Sequence, residues 1–359
     1  MASKVVSSIT RIFSPRLTIR LSIFGTLVGG TVLLRDYFGG AVCKSENCID
    51  GKTVIITGAN SGIGKETAKD LARRGGHIIL ACRNEDKAEK AKKEIIEETG
   101  NKDVVVRKLD LASLQSIRQF AKQINKEEPH VDVLINNAGI MRCPFWKTED
   151  GFEMQFGVNH LGHFYLTNLL LDKMRSSSPS RIITVASLAH TTGDMDFDNL
   201  NSESGYKTAD AYSDSKLANV LFTHELSKRL KGTGVTANSL HPGVVKTQIG
   251  RHTGMHRSGF SSFILSPIFW MFVKTPKQGA QTNIYCAVAS EVEGVTGKYF
   301  SDCAEVDCHA RGRDDAVAER LWLESARLVG LDQDGVLQES QSPEATDQTR
   351  TEKSQQSQS

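Results

Sequence analysis

The sequence predicts an α/β fold in a single domain, a doubly wound parallel sheet of about seven strands with helices on both faces. Two observations carry this. Short apolar runs alternate with segments of helical periodicity along most of the 359 residues, and such alternation gives parallel strands joined by helical crossovers. The first run, Thr53 to Thr57, passes directly into a glycine-rich turn and then a helix, the arrangement that opens a nucleotide-binding βαβ unit. No internal repeat divides the chain, so one domain is expected. A composition of 39% hydrophobic and 24% charged residues can bury one large core, and a net charge of +2 gives no case for nucleic-acid binding.

The elements follow in order. A strand over 53–57 runs into Gly58-Ala59-Asn60-Ser61-Gly62-Ile63-Gly64 and a helix over 62–74. Glycines at such a turn let the backbone approach a pyrophosphate closely, and the N–H groups of the first helical turn supply an anion site. A tight turn without a ligand is the plainer alternative. Cofactor binding by Gly58, Asn60, Ser61, Gly62, Ile63 and Gly64 would make the fold Rossmann-type. The next strand, over 77–82, ends at Arg83, where an NAD-binding fold usually presents an acid to the ribose 2′-hydroxyl. Here no acid occurs until Glu85. A guanidinium suits a 2′-phosphate in charge and in bidentate geometry. Lys65, on the first helical turn, offers a second positive charge, so the sequence favours NADP over NAD. Further helices are expected over 85–98, 113–125, 161–174 and 212–230, and strands over 104–109, 131–136, 181–186, 235–240 and 297–300. Helical runs over 277–289 and 316–328 complete the domain.

Within the helix over 212–230, Tyr212 and Lys216 stand one turn apart on one face. A phenol with a reference pKa of about 10 is a poor acid–base catalyst at neutral pH, but an adjacent ammonium favours the phenolate and draws the group toward a working range. Alone, such a pair is most often an ordinary helix surface. Downstream of a nucleotide-binding turn, it reads as a tunable proton donor.

With these residues the chain resembles the short-chain dehydrogenase/reductase family, and within it the retinol dehydrogenase branch. The likeness runs from about Gly51 to Gly330. Besides the glycine turn and the Tyr212/Lys216 pair, it rests on Asp110 after the third strand, Asn136-Asn137-Ala138-Gly139 after the fourth, Asn159 between Val158 and His160, Ser187 after the fifth, and the run from His241 through Pro242 and Gly243 to Thr247. The resemblance implies that Tyr212 is the general acid in carbonyl reduction, and that Lys216 holds the nicotinamide ribose and lowers the phenol pKa. It implies that Ser187 orients the substrate oxygen and that Asn159 supports a proton-relay water. It places Asp110 near the adenine, Asn137, Ala138 and Gly139 along the cofactor, and Pro242, Gly243 and Thr247 against its nicotinamide side. Ser187 precedes Tyr212 by 25 positions, a longer spacing than in many family members and one shared with the retinol dehydrogenase branch. The intervening stretch, 190–210, is polar and rich in Gly, Asp and Asn, and reads as a surface loop. Ser213 and Ser215 are poorer candidates than Ser187 because they sit on the tyrosine helix itself. Dimerisation through the helices starting near His160 and Tyr212 is a further family expectation.

Outside the sheet, the first 35 residues carry Lys4, Arg11, Arg16, Arg20 and Arg35, with no Asp or Glu before Asp36, the composition of a mitochondrial presequence. The 14 mostly apolar residues over 21–34 fall short of the ~20 of a full span. The segment 1–45 is therefore read as targeting and membrane-associating, with an endoplasmic-reticulum anchor and a cleaved secretory signal as alternatives. Likeness of the stretches 136–144 and 148–164 to a mitochondrion-associated member of the branch favours the mitochondrial inner membrane. The catalytic domain covers 46–333, and the Gln/Ser/Thr/Glu-rich stretch 334–359 reads as a disordered tail. An apolar and aromatic run over 260–273, interrupted by Pro267, reads as a lid toward a lipophilic substrate or a bilayer. Seven scattered cysteines make no disulfide framework. Cys303, Cys308 and His309 lack the spacing of a common zinc site, so no metal is expected. His160 and His163 are expected to pack or cap.

The expected function is an NADP(H)-dependent oxidoreductase interconverting a lipophilic alcohol and its aldehyde or ketone, with all-trans-retinal as leading substrate. A carbonyl reductase of other lipid aldehydes, steroids or quinones is the alternative of the same class. An NADP-sensing scaffold with little turnover is the alternative of another class.

Overall fold

The computed structural model describes residues 15–252 and 273–332. Its centre is one eight-stranded sheet of order β3-β2-β1-β4-β5-β6-β7-β8. The strands are β1 (Thr53–Thr57), β2 (His77–Cys82), β3 (Val104–Lys108), β4 (Val133–Asn136), β5 (Ser180–Val185), β6 (Val235–Leu240), β7 (Tyr299–Ser301) and β8 (Ala304–Val306). All pair in parallel except β8, which runs antiparallel to β7. The sequence pattern did not announce β8: it has three residues, all exposed, so no apolar period marks it.

Alternate residues of each strand face opposite layers. Ile55, Ile79, Leu134, Ile182 and Ala237 enter one core, while Val54, Ile56, Ile78, Val133, Ile183 and Leu240 enter the other. Both faces are thus apolar, as a parallel sheet covered on two sides requires. The first core is closed by α4 (Leu114–Glu127), α5 (Gly162–Ser176), α6 (Thr208–Arg229) and α8 (Asp315–Val329). The second is closed by α2 (Gly62–Arg73), α3 (Glu85–Thr99) and α7 (Gln281–Val288). α8 lays Trp322 against α5 and α6, with ring contacts to Phe164 at 4.9 Å and Phe222 at 6.0 Å.

Three boundaries differ from the sequence reading for local reasons. β4 starts at Val133, because the Asp132 side chain accepts the Thr53 N–H at 2.8 Å and the His130 ring lies 2.8 Å away. α6 begins four residues before Tyr212, at Thr208, so the tyrosine sits on the helix's second turn. α5 is entered through a π-helical turn, Gly157–Leu161, which contains Asn159; such widened turns are common at functional sites. The stretch 190–210 lies on the surface only in part. His190 is buried, Met195, Phe197 and Leu200 pack on the first core, and the Tyr206 hydroxyl donates to the Cys143 carbonyl at 2.8 Å. Its few apolar residues act as anchors, which its polar composition concealed.

Toward the N-terminus, α1 (Pro15–Phe38) has exposed apolar side chains on every side, among them Leu21, Phe24, Leu27 and Leu33. Among the described residues, no helix is long and apolar enough to cross a membrane. The run read as a lid, Val273 excepted, and the polar tail lie outside the described residues.

Candidate active site

The switch point of the sheet falls between β1 and β4, where the chain order reverses, and ligands of open α/β sheets bind outside the strand ends at that crevice. A cleft of about 380 Å³ lies there. Gly58, Asn60, Ser61, Gly62, Ile63 and Gly64 line it, together with Arg83, Asp110, Asn137, Ala138, Gly139 and Thr247. Two glycines show why the turn has this sequence. Gly58 has φ +67°, and a Cβ there would meet Ala138 at 3.0 Å. A Cβ on Gly64 would fall 2.5 Å from Asn137 Nδ2 and 2.7 Å from the Gly58 carbonyl oxygen, so β1, its turn and the segment after β4 are in contact through bare backbone. Thr57 fixes that segment from below: its hydroxyl accepts the N–H groups of Asn137 and Ala138, both at 2.9 Å.

At the end of β2, Arg83 lines the cleft and stands 4.0 Å from Asp110. Asp110 Oδ1 accepts the Ala112 N–H at 3.0 Å. Lys65, expected to add a second cation, is paired with Glu94 on α3 and is not among the residues that line the cleft. Lys87 lines the cleft in its place, beside Asn84. Sequence reasoning missed it, although a signal exists. Asn84 caps α3 by accepting the Lys87 N–H at 2.8 Å, which places the lysine in the first turn of a helix that starts just past the end of β2.

The second constellation meets the first at Gly139. A Cβ on Gly139 would lie 3.4 Å from Asn159 Oδ1 and 3.7 Å from Lys216 Nζ. Lys216 is buried to 2% exposure, and its ammonium donates to the Val185 carbonyl at 3.0 Å. Burial pushes its pKa down to about 8. Tyr212, 9% exposed, has its ring centroid 5.8 Å from that ammonium. Burial raises the phenol pKa, opposed by a hydrogen bond with Ser187 and by the Arg142 charge. Desolvation sets the net direction of the shift, and the hydroxyl keeps its proton at neutral pH. Ser187 follows β5 and caps the short turn Leu188–Thr192, accepting the Ala189 N–H at 3.2 Å.

Asn159 is held tightly. Its side chain accepts the Ile140 N–H at 2.9 Å and donates to the Ile140 carbonyl at 3.0 Å and to Ser215 Oγ at 2.9 Å. Its own carbonyl oxygen lies 2.9 Å from His163 Nδ1, and His163 Nε2 lies 2.9 Å from the Thr57 hydroxyl. A carbonyl can only accept, so His163 carries its proton on Nδ1. Burial holds its pKa down at about 4, so it is neutral. This histidine ties β1 to the π-turn, a role that spacing alone could not reveal. His160 packs against Phe156 at 5.1 Å and bonds Ser325 at 2.8 Å. Pro242 and Gly243 lie beyond the cleft lining. Gly243 N–H donates to His241 Nδ1 at 3.1 Å, and a Cβ there would meet Lys274 at 3.0 Å.

A glycine cradle at the switch point, with a buried Tyr/Lys pair, a serine and an asparagine beside it, defines an oxidoreductase of the nicotinamide-binding α/β class. Residues 52–257 match the family described as short chain dehydrogenase, and the chain belongs to that family, with retinol dehydrogenases as close relatives. It is 60% identical to human (Homo sapiens) retinol dehydrogenase 13 over 88% of this chain and 96% of that one. Identity to mouse (Mus musculus) retinol dehydrogenase 13 is 59%, over 88% and 95%. Human retinol dehydrogenase 11 is 51% identical, over 83% and 92%. Among solved structures, an uncharacterized protein from Mycobacterium paratuberculosis superposes with a TM-score of 0.66 at 36% identity, over 82% of this chain and 98% of that one. A candidate NAD(P)-dependent gluconate 5-dehydrogenase from Beutenbergia cavernae, with bound NADP, gives 0.57 at 26% identity, over 71% and 96%.

Proposed function

We propose that the protein is an NADP(H)-dependent reductase of lipophilic carbonyl compounds, with all-trans-retinal as the leading substrate. The observation that carries the coenzyme choice is the end of β2: Arg83 and Lys87 both line the cleft where an NAD enzyme presents an acid. A 2′-phosphate would take Arg83 from its 4.0 Å pairing with Asp110. The remaining residues fit a dinucleotide. The glycine turn leaves backbone N–H groups for the pyrophosphate, and the buried Lys216 ammonium has donors to spare beyond Val185 for the ribose hydroxyls.

When bound there, the reduced nicotinamide supplies a hydride to the carbonyl carbon. The protein supplies the rest. Tyr212, kept protonated by burial, donates its proton to the developing alkoxide oxygen, and Ser187 holds that oxygen by hydrogen bond. Lys216 orients the ribose, and its charge stabilises the phenolate once the proton has left. Asn159 holds the main chain at Ile140 and supports the water that returns a proton. A protonated phenol at neutral pH is the form from which the reduction step draws its proton.

Substrate class rests on the apolar side chains exposed around the strand ends, Phe145, Trp146, Leu188 and Val244, and on the names of the retinol dehydrogenase relatives. The exposed apolar side chains of α1 support association with a membrane surface, in our reading the mitochondrial inner membrane, with the endoplasmic reticulum as alternative. The test is NADPH oxidation with all-trans-retinal, beside NADH and beside Tyr212→Phe. Retinol formation that requires NADPH and the tyrosine is expected. Tight NADPH binding without turnover would overturn the retinal assignment.

A further inference from the structure

Behind Ser187 lies a second group of side chains that the proposed reaction does not use. His190, in the turn Leu188–Thr192, is buried. Its Nδ1 stands 2.7 Å from the Ser187 carbonyl oxygen, while its Nε2 accepts the His309 backbone N–H at 3.1 Å. A backbone amide can only donate, so Nε2 carries a lone pair and Nδ1 carries the proton. The carbonyl of Ser187 also accepts the His190 N–H at 3.0 Å, and the Tyr299 hydroxyl lies 3.3 Å from His190 Nδ1 and 3.5 Å from that carbonyl. At the far end of the turn, Arg311 donates to the Gly193 carbonyl at 2.7 Å. The inner side is pressed on α6: a Cβ on Gly193 would fall 2.5 Å from the Ser213 carbonyl oxygen.

We propose that His190 is a positioning residue for Ser187: as the neutral Nδ1–H tautomer it links Ser187 to the segment after β8, and so fixes the turn that aims the serine hydroxyl at Tyr212. Protonation of His190 would set an N–H against the His309 N–H, donor against donor, and release the turn. The groups around the ring act against that proton. Burial, the largest effect, lowers the His190 pKa together with the His309 imidazole, against the hydrogen bond to the Ser187 carbonyl, which raises it. His241, whose ring stands 5.8 Å from that of Tyr299, feels the charge of His190 in turn. Tyr299 is held protonated by burial, and Arg311 is turned to Gly193. Loss of activity on acidification therefore includes the charging of His190, at a pH below the ordinary histidine range.

The inference rests on the proposed role of Ser187, and the experiment separates the two. NADPH oxidation with all-trans-retinal is followed from about pH 5 to 8 in the wild type, Ser187→Ala, His190→Phe and His190→Gln. Gln can donate to Ser187 and accept from His309 without titrating. Expected are a kcat about 10- to 100-fold lower in His190→Phe at unchanged KM for NADPH, near-normal kcat in His190→Gln, and a flattened acid limb in that variant. An active Ser187→Ala overturns the reading of the serine and this inference with it. An inactive Ser187→Ala beside a His190→Phe of normal kcat and pH profile overturns the inference alone, as does an unchanged acid limb in His190→Gln. If His190→Phe does not fold, nitrogen NMR of the wild-type imidazole decides: an Nε2–H tautomer, or protonation at the ordinary histidine pH, overturns the proposal.

Discussion

Tyr212 and Lys216 illustrate how burial sets the chemistry of a pair. Lys216 loses proton affinity and Tyr212 gains it, both because the charged form is desolvated. The phenol is thereby poised to give a proton. Tyr212→Phe is expected to lower kcat by about 100-fold or more while leaving NADPH binding, read by fluorescence titration, within a few-fold of normal. For the coenzyme, the outcome expected from Arg83 and Lys87 differs from that of Lys65. Arg83→Ala and Lys87→Ala should each raise KM for NADPH by about 10-fold and leave KM for NADH nearly unchanged. Lys65→Ala, which removes only the partner of Glu94, should leave the ratio of the two constants as it is. An equal effect on both coenzymes at Arg83 would sink the 2′-phosphate assignment.

At the scale of elements, the contact between the β1 turn and the segment after β4 depends on missing side chains. Gly64→Ala must displace backbone as well as Asn137, and a loss of about 1–3 kcal/mol is expected in urea unfolding, together with weaker NADPH binding. The π-turn and α5 carry two buried histidines whose pKa values burial depresses to about 3 at His160 and about 4 at His163. In the unfolded chain each would titrate at about 6.5. Between these limits the unfolded state binds more protons than the native one, so stability is complete above about pH 6.5 and declines as the pH falls toward 4. Asp214, raised to about 6 by burial, acts in the opposite sense, since the native state holds its proton where the unfolded chain has lost it. Comparison with His160→Phe isolates the histidine contribution: the urea midpoint of the variant should fall less steeply between about pH 6.5 and 4 than that of the wild type. Parallel slopes would contradict the assignment.

For the whole molecule, α8 decides what α5 and α6 can do. Both helices are buried nearly all round, and Trp322 fills the space between Phe164 and Phe222. A dimer through these helices, the family expectation, would have to displace α8. Light scattering of the full chain in detergent is therefore expected to show no dimer through α5 and α6; a dimer that Trp322→Ala strengthens would mean that α8 gives way, and one that it abolishes would place α8 in the interface.

The strand–helix alternation, the glycine turn, Arg83 and the Tyr212/Lys216 pair were legible in the sequence because each follows from local period or spacing: a strand alternates, a helix repeats, and a tight turn demands glycine. The sequence alone determined the α/β class, the oxidoreductase chemistry and the place of the cleft at the carboxyl ends of the strands. Tertiary structure decided matters that depend on partners distant in the chain. Lys65 was claimed by Glu94 and its place at the cleft taken by Lys87. His163 was set between Thr57 and Asn159, and His190 between Ser187 and His309. The direction of the Tyr212 shift was decided there too, because desolvation is a property of the packed interior and leaves no mark on the order of residues.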